Sequence, residues 1–112
     1  MKFLFIIAHD GEFIPNDKLL SEIHSWISDS KEKGIRVHGN PLQPVGTATT
    51  VRIREGKQHV LSDTFSHSKE QICAYELVEC ENQDAAVALA LEHPMAKAAT
   101  IEVRPIWSEL TR

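Results

Sequence analysis

The sequence contains few of the features that would assign it to a specialised class of protein. Cysteine is scarce, with only 2 among 112 residues. Cys73 and Cys80 both fall in or beside one predicted strand, where seven residues of extended chain place them about 23 Å apart, too far for a disulfide. Neither has the spacing of a metal ligand. Two free thiols are typical of a reducing compartment, so we expect a cytoplasmic protein.

Clustered positive charge and a membrane-spanning run are also missing. The net charge is -4, whereas a nucleic-acid surface requires clustered lysine and arginine. The apolar run FLFIIA, residues 3–8, is far too short to cross a bilayer. It resembles the core of a signal peptide, but it ends at His9 without a small-residue cleavage site, so we predict a strand. We therefore expect neither nucleic acid nor membrane as a partner.

Linkers and cofactor motifs are absent as well. No repeat or low-complexity tract divides the chain, so we predict one domain over residues 1–112. The hydrophobic fraction of 42% and the charged fraction of 25% are ordinary for a globular domain. The sequence has no GxGxxG motif, P-loop or GxSxG elbow, and no Ser-His-Asp order can be read from it. We therefore expect no cofactor.

What the sequence does contain is a clear pattern of strands and helices. Asn16 is the predicted N-cap of the first helix, and Gly34 is the residue at which that helix stops. Asn82 is the predicted cap of the second helix, and Pro94 lies at its end. The predicted helices cover residues 14–34 and 82–94, the predicted strands cover residues 2–8, 35–39, 71–80 and 100–107, and a predicted hairpin covers residues 49–63.

The order of these elements is β-α-β, a hairpin, and β-α-β. It favours a ferredoxin-like α+β sandwich of the βαββαβ type, with an inserted hairpin and with both helices on one face of the sheet. The first helix would pack on the sheet through an apolar stripe. The stripe contains Leu20, Ile23 and Ile27, and it is widened by Leu19 and Trp26.

The first strand is apolar on both faces, which constrains the assembly. Phe3, Phe5 and Ile7 alternate with Leu4 and Ile6, but the helices would cover one face only. An exposed apolar face usually marks an interface, so we predict a two-fold homodimer that packs sheet against sheet in a barrel-like assembly. The alternative is that the hairpin of the same chain folds over that face.

The chain has 6 histidines, and four of them are candidates for chemistry. His24 lies mid-helix, where it would lean toward the sheet as a half-buried base or remain a boundary residue with one nitrogen in water. His93 ends the second helix and is either a cation that complements the helix dipole or a ligand. His9 follows the first strand, and His38 lies in the second. His9, His24 and His93 lack the short spacing of strong zinc motifs, so we expect no metal.

The segment between the hairpin and the next strand concentrates polar side chains. It is interpreted either as ordinary turn chemistry or as part of a pocket. We predict a short helical turn from Ser68 to Glu70. Asp10, followed by Gly11, is likewise either a turn residue or a site residue. The polar side chains of the segment are Ser62, Asp63, Thr64, Ser66, His67 and Ser68.

Three stretches together resemble the YCII-related domain family, in its DGPF-type branch. ATTVRIREGKQHVLSDTFSHSKEQICAYELVEC, residues 48–80, is similar to the family's signature, in which Val-x-Asp-Gly-Pro-Phe is followed by KEQ and an aromatic-bearing strand. HPMAKAATIEVRPIW, residues 93–107, contains the EVRP typical of the family's closing segment. GNPLQP, residues 39–44, fits its G-x-x-L-x-P strand end. The resemblance covers essentially the whole chain.

The resemblance implies a ferredoxin-like sandwich that dimerises through its sheets, with a histidine and an acid lining a cleft between helix and sheet. His24 matches the first-helix histidine of the family. His93 stands where the family often has an aspartate before the late proline. Asp63 and Phe65 match the aspartate and phenylalanine of Asp-Gly-Pro-Phe. The Gly-Pro that would make the bend rigid is replaced by Thr64 alone, or by Thr64 with an altered register.

Two functions remain open. One is a cofactor-free acid–base enzyme on a small molecule, an isomerase or a dehydrochlorinase as the resemblance implies, with His24 as base, oriented by Asp63 or Asp10. The other is a non-catalytic module that binds a ligand or a protein, linked to extracytoplasmic-function sigma factors as DGPF-type members often are. A solvated His24 and a cleft filled by Trp26 or Trp107 would favour the module. The ligand-binding candidates are His9, His38, Phe65, His93 and Arg104.

Overall fold

The computed structural model describes residues 1–110 and shows an α+β fold. The predicted α+β class is therefore confirmed. The elements in chain order are β1 (Lys2–His9), α1 (Asp17–Glu32), β2 (Arg36–Pro41), β3 (Thr50–Arg54), β4 (Lys57–Leu61), β5 (Gln71–Glu79), α2 (Gln83–Glu92), α3 (Met95–Ala98) and β6 (Thr100–Pro105). Short 3-10 turns cover Val45–Thr47 and Ser108–Leu110.

Four strands form one antiparallel sheet in the order β2-β5-β1-β6. This order and the helices that connect the strands are consistent with a ferredoxin-like fold. β1 is central, so its residues pair on both sides: Phe5 lies opposite Glu76 of β5 and opposite Val103 of β6. Because β1 has neighbours on both sides, its position determines which residues of β5 and β6 share each face.

The helices pack on the face of the sheet that contains Phe3, Phe5 and Ile7, and these side chains are almost completely buried. Trp26 of α1 packs against Phe5, with ring centroids 6.3 Å apart. We name the opposite face the open face; it contains Leu4, Ile6, Tyr75 and Leu77, which pair across β1 and β5. None of these four belongs to either buried cluster of the described residues, and all remain partly exposed.

Helix α1 begins as predicted, because the Asn16 side chain accepts a hydrogen bond from the Leu19 amide at 2.8 Å. Its buried face differs from the predicted one. The buried residues are Leu19, Trp26 and Ser30, whereas Leu20 is 47% exposed. The helix is therefore rotated about its axis relative to the predicted stripe, and His24, which follows Leu20 by four residues, lies on the exposed side.

The second half of the chain differs from the prediction in two local features. α2 begins at its predicted cap Asn82, but an additional short helix, α3, follows Pro94 before β6. The predicted helical turn from Ser68 to Glu70 is wrong, since these residues form an irregular bend that leads directly into β5. Within residues 1–110, no helix is both long and apolar enough to span a membrane.

Strands β3 and β4 form a separate two-stranded sheet, which we name the β3–β4 hairpin. Its turn residues Glu55 and Gly56 have positive φ angles of 52° and 75°, as the favoured two-residue hairpin turn requires. Neither strand packs on the four-stranded sheet as extensively as on its partner strand. The alternative that this hairpin covers the open face of its own chain is therefore wrong for the described residues.

Candidate functional site

The bend over residues 62–70 is held by side-chain hydrogen bonds, both from its own residues and from Thr50 of β3. The Thr50 hydroxyl donates to the Asp63 carbonyl at 2.7 Å, and the Thr64 hydroxyl donates to the Ser66 carbonyl at 2.8 Å. The Asp63 carboxylate accepts from the Thr64 amide at 2.8 Å. Side-chain hydrogen bonds thus replace the backbone restriction that a Gly-Pro pair would supply.

Glu70, the last residue of the bend, and Gln71, the first residue of β5, attach the bend to the main sheet. The Gln71 side-chain amide donates to the carbonyls of Ser66 and Ser68, at 2.7 and 3.0 Å. The Glu70 carboxylate accepts from the Thr100 hydroxyl of β6 at 2.6 Å. The bend is therefore positioned by the rigid sheet, as a binding loop must be if it is to hold a ligand in one orientation.

A groove of about 560 Å³ lies between this bend and the β2–β3 connection. We name it the bend groove. Its volume is within the range of small-molecule sites, roughly 300–1,000 Å³. Among the described residues that line it, Glu70 is the one charged residue, and its carboxylate is already bonded to Thr100. The apolar lining includes Leu42, Val45, Phe65 and Ile72, and the polar lining includes Gln43, Thr50, Thr64, Ser66 and Gln71.

A second polar cluster lies on the open face, where β2 meets β5. The Asn40 side-chain amide donates to the Tyr75 hydroxyl at 3.1 Å, and this hydroxyl is also hydrogen-bonded to Nδ1 of His38, at 3.1 Å. The rings of His38 and Tyr75 meet edge to face, with centroids 5.5 Å apart. The predicted ligand candidate His38 is therefore oriented by an aromatic partner.

The helix-covered face contains an ion pair that the sequence analysis missed. Nε of Arg36 lies 2.6 Å from the Glu76 carboxylate, and the two side chains are only 15% and 6% exposed. The same guanidinium donates to the Gly39 carbonyl at 2.9 Å. A Cβ at Gly39 would overlap the Glu76 carboxylate and approach the Tyr75 carbonyl to 2.6 Å, so this position requires glycine. The signal in the sequence was Glu76, an acid at a core-facing position of an apolar strand.

His93 is buried beside this ion pair and is only 2% exposed. Its Nδ1 accepts a hydrogen bond from the Met95 amide at 3.0 Å, so the ring proton is on Nε2, which has no hydrogen-bond partner in the described residues. Burial, aided by the charge of Arg36, lowers the pKa of His93 to about 4. The imidazole is therefore neutral near pH 7, and the predicted cation at the helix end is wrong.

The structure does not bring the predicted catalytic residues together. His24 is exposed, and within residues 1–110 it is bonded to no acid. The Asp10 carboxylate accepts from the Glu12 amide at 3.0 Å, which is turn chemistry. Asp63 caps its own bend and lies 3.4 Å from the exposed His67. The predicted cleft between helix and sheet is filled by Trp26, which is 6% exposed.

The remaining predicted ligand residues are dispersed over the surface. His9 donates from Nδ1 to the Asp10 carbonyl at 2.8 Å and stacks on Phe13, with ring centroids 4.6 Å apart. Arg104 pairs with Glu102 at 3.1 Å on an exposed part of β6. Phe65 is 69% exposed and is the one predicted ligand residue that lines the bend groove.

No three His, Cys, Asp or Glu side chains of residues 1–110 are grouped so that they could hold a metal ion. His93, with its ring buried against Trp26, and the exposed His24 do not belong to a common site with His9. Cys73 and Cys80 are free thiols. Burial raises the pKa of both, so neither is an activated nucleophile.

The fold, the bend after β4 and the β6 segment can now be compared with known families. The family profile of the YCII-related domain matches residues 1–109. The chain belongs to the YCII-related domain family. No curated protein matches the sequence. The match confirms the resemblance to the YCII-related family, and it assigns neither the DGPF-type branch nor an activity.

Proposed function

We propose that this YCII-related protein binds a small, uncharged molecule in the bend groove and does so as a two-fold dimer. The observation that carries the proposal is the groove itself. It combines apolar side chains such as Phe65 and Ile72 with amide and hydroxyl groups on a bend anchored to two strands of the sheet. Sites for small molecules have this composition: a largely apolar lining with a few positioned polar groups.

The charges of the groove determine the class of ligand. No lysine, arginine or histidine of residues 1–110 lines it, and the one carboxylate of these residues that does, Glu70, already accepts a hydrogen bond. A carboxylate or phosphate ligand would lose its hydration without gaining a cation, which is costly. An uncharged ligand can donate to or accept from the amide of Gln43 and the hydroxyl of Thr64 while its apolar part contacts Phe65.

The open face supplies the reason for a dimer. Leu4, Ile6 and Leu77 remain partly exposed there, and the hairpin of the same chain does not cover them. Ile72, at the edge of β5 nearest the bend, is 43% exposed and also lines the groove. A second copy packed on the open face would remove this apolar surface from water and would enclose one side of the groove.

Binding is favoured over acid–base catalysis by the state of the histidines. His24, the proposed base, is exposed to solvent, and no acid of the described part of the chain is bonded to it. His93 has a pKa of about 4 and is shut off from solvent, so it is a weak base without access to a substrate. A ligand-binding role is compatible with the sigma-factor link that the DGPF-type resemblance implies, with the ligand as the signal.

Thermal shift measurements with matched probes test this proposal. We expect benzamide and similar uncharged fragments to raise the Tm more than their carboxylate analogues such as benzoate, which match them in size and shape but carry a negative charge. Phe65→Ser should abolish the shift. Trp107→Ser is the matched control, since Trp107 is 66% exposed, close to the 69% of Phe65, and lies outside the groove. Equal shifts for both variants, or stronger binding of the carboxylates, would contradict the proposed site.

A further inference from the structure

The β3–β4 hairpin has one apolar face that nothing in the described chain covers. The strand register places Val51 opposite Val60, and Ile53 follows Val51 on the same side. These three side chains are 71%, 67% and 65% exposed, in the order Val51, Val60, Ile53. The opposite face is basic and polar, with Arg52 paired with His59 and Arg54 with Lys57.

A hairpin of this kind is not expected to be stable alone. An isolated two-stranded ribbon is marginal in water, and it needs a third strand, a helix or another surface on its apolar side. The hairpin also extends the molecule: the Cα radius of gyration is 15.9 Å, whereas a compact chain of this length has a value of about 13 Å. The apolar face is therefore on an element that projects from the main sheet.

We propose that the hairpin is a dimerisation arm, whose apolar face of Val51, Ile53 and Val60 packs onto the second copy of the chain. This inference rests on the dimer of the proposed function and adds a second contact to it. A two-fold axis pairs identical surfaces reciprocally, so each copy receives the arm that it contributes. The exposed open face and the exposed arm are then covered by one association.

Charge is compatible with a second copy as the partner and disfavours a basic one. The arm contains three cations, Arg52, Arg54 and Lys57, and one anion, Glu55. The whole chain has a net charge of -4, so the remainder of each copy is more acidic than the chain as a whole. The cations lie on the face of the arm opposite Val51, Ile53 and Val60, so they attract the acidic partner at longer range and do not take part in the apolar contact itself.

The arm is continuous with the bend groove, because Thr49 and Thr50 at its base line the groove. Docking of the arm on a partner would therefore fix one wall of the groove. We expect ligand affinity and dimerisation to be coupled: a ligand of the groove should strengthen the dimer, and loss of the dimer should weaken ligand binding by the same factor.

Sedimentation analysis over a wide range of protein concentrations tests the arm. Ile53→Glu places a charge in the proposed contact, and a two-fold dimer loses that contact twice, so the dimer Kd should rise on the order of 100-fold or more. Leu91→Glu on α2 is the matched control, since Leu91 is 73% exposed on the helical side, and its Kd should not change. Circular dichroism should show both variants folded, because both side chains are exposed within the protomer.

Each outcome decides between the two proposals. A wild-type dimer that Ile53→Glu dissociates supports the arm. A wild-type dimer that Ile53→Glu leaves intact overturns the arm and leaves the sheet dimer standing, whereas a wild-type monomer overturns both. If Ile53→Glu does not fold, lysine cross-linking of mixed light and heavy isotope wild-type subunits replaces it: cross-links between subunits that include Lys57 support the arm, and their absence overturns it.

Discussion

Protonation of His93 should destabilise the fold in mild acid, and the structure gives the size of the effect. In the folded chain the pKa of His93 is lowered to about 4, and in the unfolded chain it is near 6.5. Below pH 6.5 the unfolded state therefore binds a proton that the folded state does not bind. The free energy of unfolding falls as the pH drops from about 6.5 to about 4, and it is unaffected by His93 above that window.

The magnitude follows from the difference of the two pKa values. The full window corresponds to about 3 kcal/mol, and at pH 5 about 2 kcal/mol of it has been lost. Two physical causes contribute, in order: burial of the ring, and the charge of Arg36. In the described residues Nε2 has no hydrogen-bond partner, so no acceptor stabilises the protonated ring.

Urea denaturation of the wild type and of His93→Asn, at about pH 7.5 and about pH 5 and at one protein concentration, measures this contribution. Asparagine retains a side-chain oxygen that can accept from the Met95 amide. We expect His93→Asn to lower stability at both pH values but to remove about 2 kcal/mol of the difference between them. His67→Gln, at a histidine that is 75% exposed, is the control and should keep the wild-type difference. Equal pH dependence in His93→Asn and the wild type would refute the reasoning.

Three further predictions concern the same face of the sheet and the helix above it. Arg36→Met should lower the free energy of unfolding by about 3–5 kcal/mol because it leaves the Glu76 carboxylate buried without its partner, and Arg36→Met combined with Glu76→Gln should recover part of this loss in urea denaturation. Gly39→Ala should lower the Tm because its Cβ overlaps the Glu76 carboxylate, and the effect should be smaller in a Glu76→Ala background; an unchanged Tm in both would contradict the packing described. His24→Gln should change neither the Tm nor the affinity for groove ligands, and a loss of turnover of any substrate in this variant would restore His24 as a base.

The bend after β4 shows why the local sequence alone was ambiguous. Its hydroxyl residues indicate turn chemistry, and the structure contains such hydrogen bonds, from Thr64 to the Ser66 carbonyl for example. That the same bend also lines a groove depends on Leu42 and Val45, which are some twenty residues earlier in the chain. Contacts between segments so distant in sequence are set by the order of the strands, and neither segment contains that information by itself.

The sequence by itself determined the local elements. The alternation of Phe3, Leu4 and Phe5 indicates a strand, Asn16 starts a helix, and Glu55-Gly56 closes a hairpin, because each signal acts over a few residues of backbone. The motifs distributed along the chain also identified the family, since they depend on residue type and order alone.

Tertiary structure decided which side chains are buried and charged. α1 has apolar residues on more than one side, so only packing on the sheet selected Leu19 and Trp26 over Leu20 and turned His24 to solvent. His93 is neutral because its ring is buried against Trp26 and lies close to the charge of Arg36. Both of these residues are remote from His93 in sequence. The pKa of a side chain and the rotation of a helix depend on the whole surroundings, which exist only once the sheet has assembled.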